Sequence, residues 1–410
     1  MAKREGAPEG GMGPVAKPRS PSGASSASTV TIVALLCLGV CAAAEVVRYD
    51  AARQIEPTAL AVPERIADTA APSTVPELKL RSTTRIPMPR GVPSAHASTL
   101  TALPSGELLA FWWAGARESA ADVAIYASRW NAGRWSAASR VVERHELGLQ
   151  LGFAVRRLGN PVAWVARDGR VHLYAVATGL GGWAASRVVH LTSNDAGRSF
   201  AAMRVLPLSP LFNTSVLVRS NPVATADGGW LLPAYFELGN KYPLVIAMDA
   251  QGVPRWARRI GGSRSSLQPA LLVVSPTEVH ALMRDHGEHK RIQAAISRDA
   301  GLTWGDQSPL PQPNHDSAVA AIRLAEGGFV MAHNDQLVAP GAGRDWLRLS
   351  VSDDALHWRA SEDVVRGAPG DEFSYPSLLQ VGRRLHVTFT AQRGAIGHHV
   401  YAIAAAPATP

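Results

Sequence analysis

The segment SNDAGRSF at 193–200 returns as SRDAGLTW at 297–304. Each copy holds a Ser, an Asp two residues later, a Gly and a closing aromatic residue. This is hairpin chemistry. Asp195 or Asp299 can accept N–H bonds across its own turn, Gly197 or Gly301 can supply a left-handed backbone, and Phe200 or Trp304 can tuck beneath the sheet. A turn written twice implies a structural unit written twice, and a period of about 40 to 50 residues is that of a propeller blade. The two copies start 104 residues apart, two periods of 52. A degenerate copy, VSDDALHW, starts 54 residues further on; it is read with Asp353 and Trp358 kept and Ala355 where Gly stood. An eroded copy, SRWNAGRW at 128–135, keeps the Ser and the final Trp. The stretch from 85 to 402 has room for six such periods.

The residues between the turns agree. GELLAFWWAG, RVHLYAVAT, GGWLLPAYFE, EVHALMR, GGFVMAHN and RLHVTFTA are short apolar or alternating runs, most of them bounded by Gly, Asp, Asn or Pro, which reads as strands. No 12-residue stretch after 82 carries a capped helical period. The expected fold is all-β, a six-bladed propeller of four short strands per blade over 82–405. The repeated turns are expected to be structural, on the face away from any ligand.

Both cysteines, Cys37 and Cys41, fall in the apolar run TVTIVALLCLGVCAAA, so the domain itself has no disulfide framework and no cysteine-based metal site or nucleophile. The run follows a low-complexity segment with Lys3, Arg4, Lys17 and Arg19, the charge placement of a cytoplasmic flank. Residues 1–28 are read as a disordered basic segment, 29–47 as a signal peptide or membrane anchor, and 48–81, with Pro57, Pro63, Pro72 and Pro76, as a linker. The body is expected outside the cytoplasm, in the envelope or secreted, as a monomer. The net charge of +8 comes from 41 Lys+Arg against 33 Asp+Glu. It is spread without a dense basic run, which gives no support for nucleic-acid binding.

The repeats match the Asp-box, or BNR, motif, and the region from about 90 to 402 resembles the sialidase-like BNR-repeat proteins. SAHASTLTALPSGELLAFWWAGARESAADVAIYASRW looks like that family's first blade, and LLPAYFE, LQPALL, SRDAGLTW and FSYPSLLQ follow in the expected order. The resemblance implies a six-bladed propeller with its site at the central channel, no cofactor and no metal, and a glycan substrate. It further implies a carboxylated sugar gripped by three arginines, because a guanidinium fork matches a carboxylate bidentately, together with an Asp acid/base and a Tyr nucleophile activated by Glu. By that likeness Asp122 is the acid/base with Arg117 in support, Tyr375 the nucleophile and Glu237 its activator. Arg284 binds the substrate, as does Arg344, with Arg348 as the alternative.

One position departs. The family writes its first arginine in an RIP element about 25 residues before the acid/base Asp, where this chain has His96, 26 residues upstream of Asp122. The RIP at Arg85 lies 37 upstream, too far for the same strand position. With His96 there, carboxylate binding loses a forked donor and an unconditional charge, and another acidic or a neutral sugar comes into view. The expected activity is retaining cleavage of a terminal, acidic sugar. The alternatives are a polysaccharide lyase using His96 and Tyr375, or a non-catalytic glycan- or protein-binding propeller. Asn160, Asn221 and Asn314 are expected to build turns, and RDHGEH at 284–289 to be a polar loop rather than a metal site.

Overall fold

The strand Leu108–Gly115, LLAFWWAG, has all eight residues buried. Alternation still operates in it, but both faces are apolar because both are covered. Leu109, Phe111 and Trp113 pack towards the next sheet, and Ala110, Trp112 and Ala114 towards the preceding one. The computed structural model describes residues 25–53, 57–62, 75–208, 213–336 and 343–404, and its contacts divide the chain into two units, 1–54 and 55–410.

The second unit is six antiparallel sheets, each a blade. Blade 1 holds Ser94–Ala102, Leu108–Gly115, Ala124–Asn131 and the outer pieces Arg134–Trp135 and Ser139–Val142. Blade 2 holds Arg157–Val165, Val171–Thr178, Ser186–Ser193 and Ala201–Val205. Blade 3 holds Val216–Val218 with Val223–Ala224, then Trp230–Phe236, Tyr242–Met248 and Pro254–Arg259. Blade 4 holds Ser266–Val273, Val279–Asp285, Gln293–Ser297 and Gly305–Asp306. Blade 5 holds Ala320–Arg323, Phe329–Asn334, Trp346–Ser352 and Arg359–Arg366. Blade 6 holds Phe373–Val381, Arg384–Ala391 and Ala395–Ala404, and its outermost strand is Glu77–Ile86 from the other end of the chain. Six hydrophobic clusters among the described residues fill the six interfaces between neighbouring blades. The ring is therefore held by side-chain burial at every joint and closed by one shared sheet.

That closure moves the start of the propeller to Glu77, five residues before the expected 82. The segment 57–62, expected within the linker, also docks: Leu60 is buried, bridges Thr225 and joins the cluster between blades 3 and 4. A short helix, Arg144–Leu151, follows blade 1 and ends at Gly152 with φ 72°. It is too short, at eight residues, to show a helical period in the sequence.

The repeated turns join the third and fourth strands of their blades. Asp299 accepts bonds from the Thr303 amide at 2.8 Å, the Thr303 hydroxyl at 2.5 Å and the Ser297 hydroxyl at 2.8 Å. Ala196 and Ala300 take φ of 58° and 55°, each followed by a left-handed glycine. In blade 5 the motif is one residue shorter than its alignment suggested. Asp354, not Asp353, accepts from Ser352 and the His357 amide, and Ala355, φ 64°, stands where Ala300 stands while the glycine is missing. Each turn also staples its blade to the one before: Phe200 meets Phe111 edge-on, ring centroids 5.7 Å apart, and Trp304 joins the cluster between blades 3 and 4. Asp299→Ala, which strands several donors, is expected to cost about 1–3 kcal/mol. A calorimetric melt checks it.

The first unit is the helix Ser25–Arg53, 29 residues. Its window Ser28–Glu45 has mean hydropathy 1.9 and none of it is buried, so the helix is long and apolar enough to cross a membrane; a signal sequence shares these properties. Cys37 and Cys41 lie on it as free thiols. The expected disordered segment lies, through residue 24, outside the described residues.

Candidate functional site

Strand direction alternates within a blade. The turns between second and third strands, and the connections into each first strand, therefore share one face of the ring, while the Asp-box turns lie on the other. Tyr375, Asp316 and Glu372 lie at entries to first strands, and Arg284, Arg344, Arg393, Glu118, Asp122 and Glu237 at second-to-third turns or the strand ends beside them. They share the face opposite the repeats.

The innermost strands break register as they reach this face, between Gly159 and Val162, Leu267 and Ala270, and Ser374 and Ser377. In each bulge a polar residue precedes a proline and takes a left-handed backbone: Asn160 at φ 33°, Gln268 at 50° and Tyr375 at 53°. Asp316, at the entry to blade 5, has φ 55°. A bulge re-aims a side chain that regular pleating would send into the joint between blades, at a cost in backbone strain that the surroundings must hold.

The side chains so aimed form a chain of hydrogen bonds around the channel. Asn160 and Gln268 both donate to the Tyr235 hydroxyl, at 3.3 and 3.2 Å. Arg284 donates to Gln268 at 3.2 Å, to the Tyr375 hydroxyl at 3.2 Å and to Asp316 at 2.6 Å. Arg344 donates to the Asp316 carbonyl at 2.8 Å and to Glu372 at 3.1 Å. Glu372 also takes Ser374 at 2.8 Å and Arg393 at 2.5 Å, and Arg393 reaches Glu118 of blade 1 at 2.8 Å. All six blades contribute.

The charges follow from these contacts. Burial alone would raise Glu372, but Arg393, Arg344 and Ser374 hold it down to about 2. Asp316 is likewise below its ordinary range, because Arg284 and His286 outweigh its burial. Burial would lower Arg284, yet Tyr375 and Asp316 push it up. His96 is brought down to about 3, chiefly by burial, so the imidazole is neutral. Its ring lies 4.4 Å from that of Tyr375, edge-on, and its Nδ1 is buried without a partner among the described residues.

Several expected residues meet here and others stand apart. Tyr375, His96, Arg284 and Arg344 are together. Arg348, the alternative to Arg344, is held by Asp335 and Asp363 and lies over Trp346, centroid 4.0 Å away. Arg85 sits on the outermost strand of blade 6. Asp122 and Arg117 are exposed on the blade 1 loop, with the Asp122 carboxylate on the Ala116 amide at 2.8 Å. That loop is pinned on both sides, by Glu118 to Arg393 and by Ser119, which accepts from Trp183 at 2.8 Å. Glu237 pairs with Lys241 at 3.5 Å; the Tyr375 hydroxyl's partner among the described residues is Arg284. Asn314 braces a turn by accepting from the Ser317 amide at 3.1 Å. Asn221 ties inner strands by accepting from Thr99 at 2.8 Å and donating to the Leu100 carbonyl at 3.0 Å, whereas Asn160 joins the site. RDHGEH is a loop in which Asp285 accepts the Gly287 amide at 2.9 Å, and no cluster of metal-ligating side chains occurs among the described residues.

Residues that the sequence motifs did not point to also line the site, among them Arg219, Asp316, Glu372 and Arg393, with Tyr235, Gln268 and Glu118 in the same chain of hydrogen bonds. Arg219 is 2% exposed, on blade 3. It crosses to the opposite blade to donate to the carbonyls of Tyr375 at 2.5 Å and Pro376 at 3.0 Å, its guanidinium 5.2 Å from the Tyr375 ring. Burial brings it down to about 10, still charged at neutral pH. It holds the left-handed turn that aims the phenol. Arg219→Met leaves two carbonyls buried and unpaired, and is expected to cost about 2–4 kcal/mol. A melt within a degree or two of the native protein would reject the bridging role.

The BNR repeat-like domain family matches residues 106–387. Among solved structures, a protein of unknown function from Dyadobacter fermentans is similar, with a TM-score of 0.64 at 13% identity over 82% of this chain and 100% of that one. A mutant of Trypanosoma rangeli sialidase displaying trans-sialidase activity gives 0.58 at 15% identity over 82% of this chain and 60% of that one. The NanB sialidase from Streptococcus pneumoniae gives 0.58 at 12% identity over 79% and 70%. This chain thus spans less than two thirds of the trypanosomal protein. At such identities the likeness is one of fold. No protein of curated function matches the sequence.

Proposed function

The chain belongs to the BNR repeat-like domain family, as a sialidase-like six-bladed propeller, and from that footing we propose that it is an exported glycoside hydrolase that removes a terminal sugar in the mouth of its channel. Tyr375 carries the reading. Its backbone is held in a strained conformation at the channel mouth, its hydroxyl lies on a guanidinium, and its ring is flanked by His96, Arg219 and Arg344. Strain kept in place by a buried arginine at a cluster of polar groups is a mark of a working site.

In this scheme the Tyr375 oxygen attacks the anomeric carbon while the glycosidic bond breaks and Asp122 protonates the departing oxygen. Asp122 then takes a proton from water, which attacks the same carbon and frees Tyr375, so configuration is retained. Arg284, already bonded to the phenol, stabilises phenoxide as it forms. Glu237 is the assigned acceptor of the phenol's proton and must leave Lys241 to act. The helix Ser25–Arg53, preceded by four basic residues, supports placement of the propeller outside the cytoplasm.

The test is hydrolysis of a panel of fluorogenic glycosides, a sialoside among them, by the full-length protein. Turnover that Tyr375→Phe abolishes is the expected result. Turnover that survives that change, or none on any glycoside, rejects the assignment.

A further inference from the structure

Three arginines of the site are already matched by three carboxylates: Arg284 with Asp316, Arg344 with Glu372, and Arg393 with both Glu372 and Glu118. Arg219, the fourth guanidinium, is 2% exposed, donates through a single nitrogen to the carbonyls of Tyr375 and Pro376, and has its Nε buried without a partner among the described residues. Glu372 matters most. One oxygen accepts from Arg344 and Ser374, the other from Arg393, so the carboxylate lies between two guanidiniums, the position an incoming carboxylate would need. It comes from the chain itself, three residues before Tyr375. His96, where the resemblance leads one to expect a further arginine, adds a ring nitrogen without a partner.

We propose that the site takes a terminal sugar without a carboxylate, with Glu372 as the resident counter-ion of the arginines. The inference rests on the hydrolase reading above and names its substrate class. A second carboxylate seated beside Glu372, whose side chain is 19% exposed, would bring like charges together in a partly buried site, which raises the cost of keeping both ionised. A neutral sugar meets no such cost. Each arginine keeps its carboxylate while its remaining N–H groups meet hydroxyls. His96, standing where an arginine is expected, adds no charge to attract an acid, because burial keeps its imidazole neutral.

The experiment compares acids with their own neutral esters, so that ring stereochemistry is held constant. Binding of methyl glucuronoside, of the methyl glycoside of sialic acid, and of the methyl ester of each is measured by calorimetry on the full-length protein. The fluorogenic panel, neutral and acidic, is run in parallel. Expected are binding at least about tenfold tighter for an ester than for its acid, and turnover of neutral glycosides only. In Glu372→Gln the gap should close or reverse by a comparable factor. His96→Arg, which adds a cation without touching Glu372, should move preference the same way and stands in if the first variant folds poorly. An acid that binds the native protein better than its ester overturns the inference. Turnover of an acidic glycoside that Tyr375→Phe abolishes overturns it too while leaving the hydrolase reading intact. Binding of no sugar together with no turnover rejects both.

Discussion

Tyr375→Phe is expected to lower kcat by about three orders of magnitude or more on whichever glycoside the native protein cleaves, a loss of at least about 4 kcal/mol of transition-state stabilisation. The change removes one atom. The ring keeps its contacts with His96, Arg219 and Arg344, and the backbone keeps its carbonyl bonds to Arg219. What is lost is the only atom of that side chain that can form a covalent bond to the sugar, along with one hydrogen bond from Arg284 at 3.2 Å. Stability should therefore move by less than about 1.5 kcal/mol, and KM little, since the ring still lines the mouth. Steady-state kinetics beside a thermal melt separate these quantities. A fall in kcat of tenfold or less would show that the hydroxyl only orders the site, and the nucleophile would then have to be sought elsewhere.

The fold was largely legible because a propeller is periodic. Ser193 and Ser297 fixed the repeat, and Trp304 and Phe200 gave the direction in which each turn packs. Blade closure was not legible, since nothing in ELKLRSTTRI says that Leu78 will join a cluster with Tyr401. That pairing is made across the whole chain, and a strand's alternation carries no address. The register of the blade 5 turn was misread for a smaller reason. Two adjacent aspartates follow Ser352, and only the backbone, with Ala355 in the left-handed region, shows that Asp354 does the accepting. Residues borne on motifs, Tyr375 in FSYPS and Arg284 in ALMRD, do lie together in the structure. Those that complete the site stand in connections without period. Arg393 and Glu372 come together only because the second-to-third turn of blade 6 folds back over the entry to its own first strand. One signal was present and unused: Asn160, Gln268 and Tyr375 each precede a proline at the head of an inner strand, a register shared by three blades that marks where polar side chains turn into the channel.

Acid should unfold this protein early, with a midpoint of roughly pH 4.5 to 5.5, because at least seven of its histidines are buried neutral. Burial brings His96, His190 and His398 down to about 3 and His172, His333, His386 and His399 to about 4. Geometry supports the direction independently. His172 and His190 share a ring-to-ring hydrogen bond of 2.9 Å within blade 2, and His386 and His398 one of 3.0 Å within blade 6. Protonating both rings of a pair would set N–H against N–H. The sign follows from linkage. These groups have folded values below the ordinary 6.5 or so, so their contribution is intact above that pH and is lost as pH falls towards the folded values, while the unfolded chain takes up the protons. By pH 5.5 each imidazole withdraws about 1 kcal/mol, and seven together rival the 5–15 kcal/mol or so that holds an ordinary domain. Carboxylates with depressed values, such as Glu372, act in the same direction but only below about pH 4.5, so the two sets separate on the pH axis. Melting temperature measured between pH 7.5 and 4.5 should start to fall near 6.5 and drop steeply by 5.5; a flat profile across that interval would show that the rings accept protons without leaving their places. A steep fall confines the protein to near-neutral surroundings, where Glu372 is ionised, His96 is uncharged and the arginines stay paired, the charge state on which the proposed preference for a neutral sugar depends.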